Sequence, residues 1–117
     1  MSYIGILISR MIKKYGQTIN HKRRTQVDLG NGEVEYDYEV QEPKTGQFSQ
    51  ITPLDVVLNR FGERIEADWI ATFLPRTDIL EGDLLEIDDQ WCEVQNIFHR
   101  RTSGVEDYLE VFLRRRQ

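Results

Sequence analysis

The sequence predicts a mainly β protein with helices (α+β), and three observations carry that prediction. In residues 108–114, Leu109, Val111 and Leu113 alternate with Glu110, Phe112 and Arg114, the period-2 pattern of a strand with one buried face. Asn31-Gly32 is a hairpin-turn signal, and after it Val34, Tyr36, Tyr38 and Val40 alternate with Glu33, Glu35, Asp37 and Glu39. Near the start, Ile4, Leu7, Ile8, Met11, Ile12 and Tyr15 recur at helical spacing and draw a single apolar stripe.

The helix is expected over residues 3–15, with Ser2 as a cap, Lys13 and Lys14 suited to the negative end of the dipole, and Gly16 as a left-handed stop. Such a stripe must dock, either on its own domain or between subunits. The polar face lacks the rich basic lining of a membrane-surface helix. The hairpin follows over residues 18–40. Its first arm, TINHKRRT, alternates poorly, and cross-strand ion pairing with the acidic face of the second arm is the expected use of both charge runs.

Residues 42–53 are polar, contain Pro43 and Gly46, and predict a long loop, either lying on the surface or protruding. Thr52-Pro53-Leu54-Asp55 then resembles a helix start, with a short helix to Phe61, although Leu54, Val56 and Leu58 also alternate as a strand would. From Glu63 the period becomes 2, with Ile65, Ala67, Trp69, Ala71 and Phe73 on one face until Pro75. Three further strands are expected at 84–88, 91–98 and 108–114, with Gly82-Asp83 before the first and Asp88-Asp89-Gln90 turning it back. The whole is read as one domain over 1–117, its strands at 63–114 completing the sheet.

Composition sets the function classes aside one by one. At 117 residues the chain suits one core, and a net charge of -5 argues against a protein whose main task is gripping nucleic acid. Basic clusters at 13–14, 21–24, 99–101 and 114–116 stand apart from acidic runs at 33–42 and 78–89, which suits solvated faces or complementary contacts between copies. Cys92 has no internal partner, and cytoplasmic assembly is the default. No apolar run approaches a bilayer span, and the lysines following the apolar start are the wrong order for a signal peptide.

No nucleophile motif, phosphate loop, dinucleotide fingerprint or paired-cysteine metal site is present, so no catalytic, metal or cofactor residue is predicted and no cofactor is expected. His21 and His99 lack partners at ligand spacing. Cys92 sits inside an expected strand as a small hydrophobe, and Asp88-Asp89 is a turn rather than an acid-base pair or a calcium loop.

The order of elements, together with Asp78, Gly82, Asp83, Trp91 and Val94 in RTDILEGDLLEIDDQWCEVQNI and the closing YLEVFLRR, resembles the head–tail joining proteins of tailed bacteriophages. These are the head-completion, head-closure or stopper proteins, and the resemblance covers residues 69–114 best. It implies a small antiparallel β-barrel with an N-terminal helix and a long polar loop, assembled as a ring beneath the portal or adaptor. Such a ring retains packaged DNA, lets DNA pass without sequence-specific binding and docks the tail. The implied location is the virion, assembled in the host cytoplasm with no membrane contact. The implied channel loop is Lys44, Thr45, Gly46, Gln47, Phe48, Ser49 and Gln50. Contacts with neighbouring subunits or partners fall on Ile4, Leu7, Ile8 and Met11 of the helix and on Arg23, Arg24, Arg100, Arg101, Arg114, Arg115 and Arg116. A tail-completion protein of the same virion, or a small barrel that binds protein or nucleic acid, are the alternatives.

Overall fold

The computed structural model describes residues 3–51 and 66–116. Its elements run helix α1 (Tyr3–Tyr15), then strands β1 (Gln17–Asp28), β2 (Val34–Gln50), β3 (Trp69–Phe73), β4 (Leu84–Ile87), β5 (Gln90–Thr102) and β6 (Val105–Arg115). All strand pairs are antiparallel, and the order β1-β2-β3-β6-β5-β4 closes on itself as a barrel. The mainly β fold with an N-terminal helix is therefore as expected. The expected helix at residues 53–61, and the part of the expected strand before Glu66, lie outside the described residues.

Inward side chains fill the barrel: Ile19, Ala71, Phe73, Ile79, Leu85, Ile87, Cys92, Val94, Leu109, Val111 and Leu113 form one cluster, with Phe48, Trp69 and Ile97 packed against it. The alternation read in residues 108–114 holds, since Leu109, Val111 and Leu113 all point in. Phe112 points out yet is also buried, edge-on to Phe98 at 5.5 Å, on the strand against which α1 rests.

The polar segment 42–50 is strand rather than loop. Residues 44–46 pair with 17–19 of β1, and residues 46–50 pair with 69–73 of β3. Its Pro43 and Gly46 are compatible with a strand for two separate reasons. The register shifts between Ile19 and His21, so one residue of β1 faces two of β2, and Pro43 falls in that bulge, where no ladder amide is required. Gly46 lies beneath Phe73: a Cβ there would be 2.6 Å from the ring. The bulge also exchanges the faces of β2, so that 44, 46 and 48 share the inner side with 35, 37, 39 and 41 of the outlying half. Strict alternation is lost across the join.

One turn and the helix stop also differ from expectation. The first hairpin crosses through residues 29–33, closed by the Leu29 amide on the Glu33 carbonyl, with positive φ at Gly30 and Gly32 rather than at an Asn31-Gly32 pair. Gly16 ends α1 by close approach and not by a left-handed φ: its amide bonds the Ile12 carbonyl at 2.8 Å, and a Cβ would meet that oxygen. At the β4–β5 tip, Ile87 pairs with Gln90 and both Asp88 and Asp89 have positive φ, 51° and 61°, as a type I′ turn demands. Ser103-Gly104 turns β5 into β6 in the same way, which makes that hairpin longer than expected.

Candidate interaction surface

The barrel is closed where β1 meets β4, and that seam has only two residue pairs, His21 with Leu85 and Lys22 with Leu84. Side chains reinforce it. The Asp83 carboxylate accepts from His21 Nε2 at 2.7 Å, from Arg23 Nε and Nη2 at 3.3 and 3.1 Å, and from the Leu80 amide at 2.9 Å. Arg23 also grips Asp78 through Nη1 and Nη2 at 3.3 and 3.0 Å. With the His21 proton on Nε2, the buried Nδ1, which has no partner, is a bare lone pair and no N–H is left unbonded. Burial pushes the Asp83 carboxyl up, but the hydrogen bonds from His21, Arg23 and Leu80 outweigh it and hold it below the usual range. The Arg23 hydrogen bond likewise lowers Asp78, and its bonds to Asp83 and Asp78 raise Arg23 itself.

Arg23 is thus engaged within its own chain, joining β1 to Asp78 and Asp83. Arg100 pairs with Glu110 at 2.7 Å, Arg101 lies 3.7 Å from Glu106, and Arg114 lies 3.5 Å from Glu66. Arg24 stacks on Tyr36 and Arg116 on Tyr38, each 4.8 Å from the ring centroid, while Lys22 sits over Trp91 at 4.3 Å. The Arg115 amide donates to Asp68. Arg101 also lines a groove of about 780 Å³ with Ser9, Lys13, Leu74, Pro75 and Arg76. The expected arginines therefore occupy separate places rather than one patch. Cys92 is buried, and burial pushes its thiol up to about 11, away from reactivity. Among the described residues no group of three or more His, Cys, Asp and Glu is placed to hold a metal, and no helix is long and apolar enough to cross a membrane.

The expected cross-strand ion pairing does not occur. Directly opposed residues of an antiparallel pair share a face. The register sets Lys22 against Val40 and Arg24 against Tyr38, while Glu35 and Asp37 face Val27 and Thr25. Arg23 alone faces an acid, Glu39, and it is engaged elsewhere. Among the described residues Glu35, Asp37 and Glu39 make no ion pair. Beyond Lys22 on β1 and before Gly46 on β2 the two strands bond only to each other, a two-stranded ribbon leaving the barrel. One of its faces is acidic, and the other carries Val34, Tyr36, Tyr38 and Val40, with Tyr36 57% and Val40 75% exposed.

The helix stripe is the second uncovered surface. Gly5 and Ile12 are the buried positions of α1, which rests on β6 and β2. At about 100° per residue, Ile4, Leu7 and Met11 fall roughly 90–150° away from that contact. They are 49%, 41% and 40% exposed, and Ile8 is half-buried. The channel-loop residues Lys44 to Gln50, by contrast, are held in the barrel wall, and the ribbon is the part that projects. No protein-family model and no curated protein sequence matches the chain.

Proposed function

We propose that the chain is a structural subunit of the head–tail connector of a tailed bacteriophage, a ring member under the portal or adaptor that completes the head, retains packaged DNA and docks the tail. The observation that supports this most is the uncovered apolar surface of α1: of the six stripe residues only Ile12 is buried. A helix whose apolar centre faces away from its own barrel is built to be covered by another molecule. A ring subunit meets two neighbours and a layer above and below, at roughly 800 Å² per partner face, so exposed apolar elements are what such a subunit needs. The residues that carry the resemblance serve the scaffold, with Asp83 and Asp78 at the seam and Val94 in the core. They support the barrel of the family more than any one contact.

On this reading the chain acts in the virion after assembly in the host cytoplasm, and its partners are itself, portal or adaptor proteins and tail proteins. The test is a pull-down of purified neck components with tagged protein, followed by single-particle imaging of what is bound. A ring on the portal or adaptor is the expected image, whereas a ring on the free end of a tail moves the chain to the tail-completion role. One observation favours a second reading, a nucleic-acid-binding barrel: Trp91, Tyr36 and Tyr38 alternate with Lys22, Arg24 and Arg116 on one outer face. Tight, steeply salt-dependent DNA binding by the isolated monomer is the outcome that would favour it.

A further inference from the structure

We infer that the β1–β2 ribbon of one copy lies along helix α1 of a second copy, a head-to-tail contact that rests on the ring reading and names the surfaces joining its subunits. Among the described residues, helix α1 and the ribbon each expose apolar side chains beside charges, basic on the helix and acidic on one face of the ribbon. Helix α1 exposes Ile4, Leu7 and Met11, carries Arg10 and Lys14 on the adjoining side, and contains no acid. The ribbon exposes Val34, Tyr36 and Val40 on one face, where Arg24 lies over Tyr36 and Arg116 over Tyr38, and Glu35, Asp37 and Glu39 on the other.

The free edge of β2 runs between those two faces, because β2 meets β3 only from Gly46 onward. A helix laid along that edge therefore touches both. Leu7 and Met11 turn toward Tyr36 and Tyr38, while Arg10 and Lys14 turn toward Asp37 and Glu39. The repeats agree: residues four apart on a helix are separated by about 6 Å, and residues two apart on a strand by about 6.7 Å. Arg10 and Lys14 thus match Asp37 and Glu39 in spacing to within about 1 Å. Both halves of the contact are exposed on the same chain, so one copy cannot satisfy itself, and head-to-tail repetition either closes a ring or runs on as a filament. The apolar residues supply area, and the charges select the partner and its register.

A charge exchange tests this. Arg10→Glu with Lys14→Glu reverses the helix, and Asp37→Lys with Glu39→Lys reverses the ribbon. In sedimentation equilibrium the wild-type chain should associate, and each variant alone should do so at least about tenfold more weakly. An equimolar mixture of the two variants should recover, since every junction in it again joins unlike charges. A second measurement does not depend on charge: oxidation of a mixture of Leu7→Cys and Tyr36→Cys chains should give a disulfide-linked pair that neither forms alone, with the buried Cys92 taking no part. Wild-type association that neither variant weakens, a mixture that fails to recover, or absence of the cross-linked pair overturns this contact and leaves the ring reading standing. A wild-type chain that stays monomeric at every concentration and on neck components overturns both.

Discussion

Asp83 is the side chain on which closure of the barrel depends most. Its carboxylate joins His21 and Arg23 of β1 to the turn before β4, and its own carbonyl receives the Val94 amide of β5 at 2.8 Å, so three strands converge on one residue. Asp83→Ala leaves a buried histidine and a part-buried guanidinium without their anion, and a loss of roughly 3–5 kcal/mol is expected in urea unfolding. The pH dependence follows from the lowered Asp83 and Asp78 carboxyls. The unfolded chain binds protons at a higher pH than the folded one, so this stability is fully present above the ordinary carboxylate range, about pH 4, and is lost as pH falls through the folded values. The urea midpoint should hold from neutral pH to about 5 and drop below 4, and Asp83→Asn should flatten that drop. Little of this was legible in the sequence. His21 and Arg23 stood in a basic run that resembled a solvated face, and composition cannot show a partner 62 residues away. Gly46 makes the opposite demand, for empty space. Gly46→Ala drives a methyl into the Phe73 ring and should cost about 1–3 kcal/mol, less in a Phe73→Leu background, as a thermodynamic cycle of the four proteins would show.

At the scale of elements, the strands were legible wherever alternation was unbroken and one-sided, as in β6, and illegible wherever a bulge reset the period. In β5 the register shifts between Val94 and Asn96, so Cys92 and Val94 point inward and then Ile97 does. In β2 the bulge at Pro43, with Gly46 beyond it, gave a strand the composition of a loop. Turns behaved differently, because their chemistry is local. Asp88 and Asp89 mark the β4–β5 turn correctly, yet both hold a left-handed φ without being glycine. Asp89→Gly removes a side chain that this conformation disfavours and should stabilise the protein by about 0.5–1 kcal/mol in denaturant titration. The ribbon gives a prediction of its own. Two strands with no third neighbour are marginal in water, so amides of residues 24–28 and 34–40 should exchange with solvent well before those of β3 and β6. Uniform protection across the sheet would contradict the picture of a ribbon bonded only to itself.

For the molecule as a whole, the decisive feature is the mismatch between where α1 is apolar and where it is docked. Helical spacing in the sequence identified the stripe correctly, because periodicity shows which residues share a face. It cannot show which part of that face meets the barrel, and the barrel takes only the flank at Gly5 and Ile12. The molecule is elongated, 53 × 31 × 31 Å, and among the described residues the ribbon and this helix both expose apolar side chains. That mismatch separates folding from assembly in one experiment. Leu7→Asp with Met11→Asp places two carboxylates at positions that are already about two-fifths exposed. The barrel core contains neither residue, so the melting temperature should move by only a few degrees, in line with surface substitutions of about 0.5 kcal/mol each. Assembly should fail, because a carboxylate shut into an apolar contact without a partner is strongly disfavoured. A circular-dichroism melt and imaging of the variant with portal or adaptor complexes read the two effects separately. If the variant melts far below the wild type, the stripe belongs to the fold of the single chain. If it folds and still enters a ring, the helix is not the surface by which copies or partners are joined, and the docking role passes to the ribbon or the arginine-bearing strand ends.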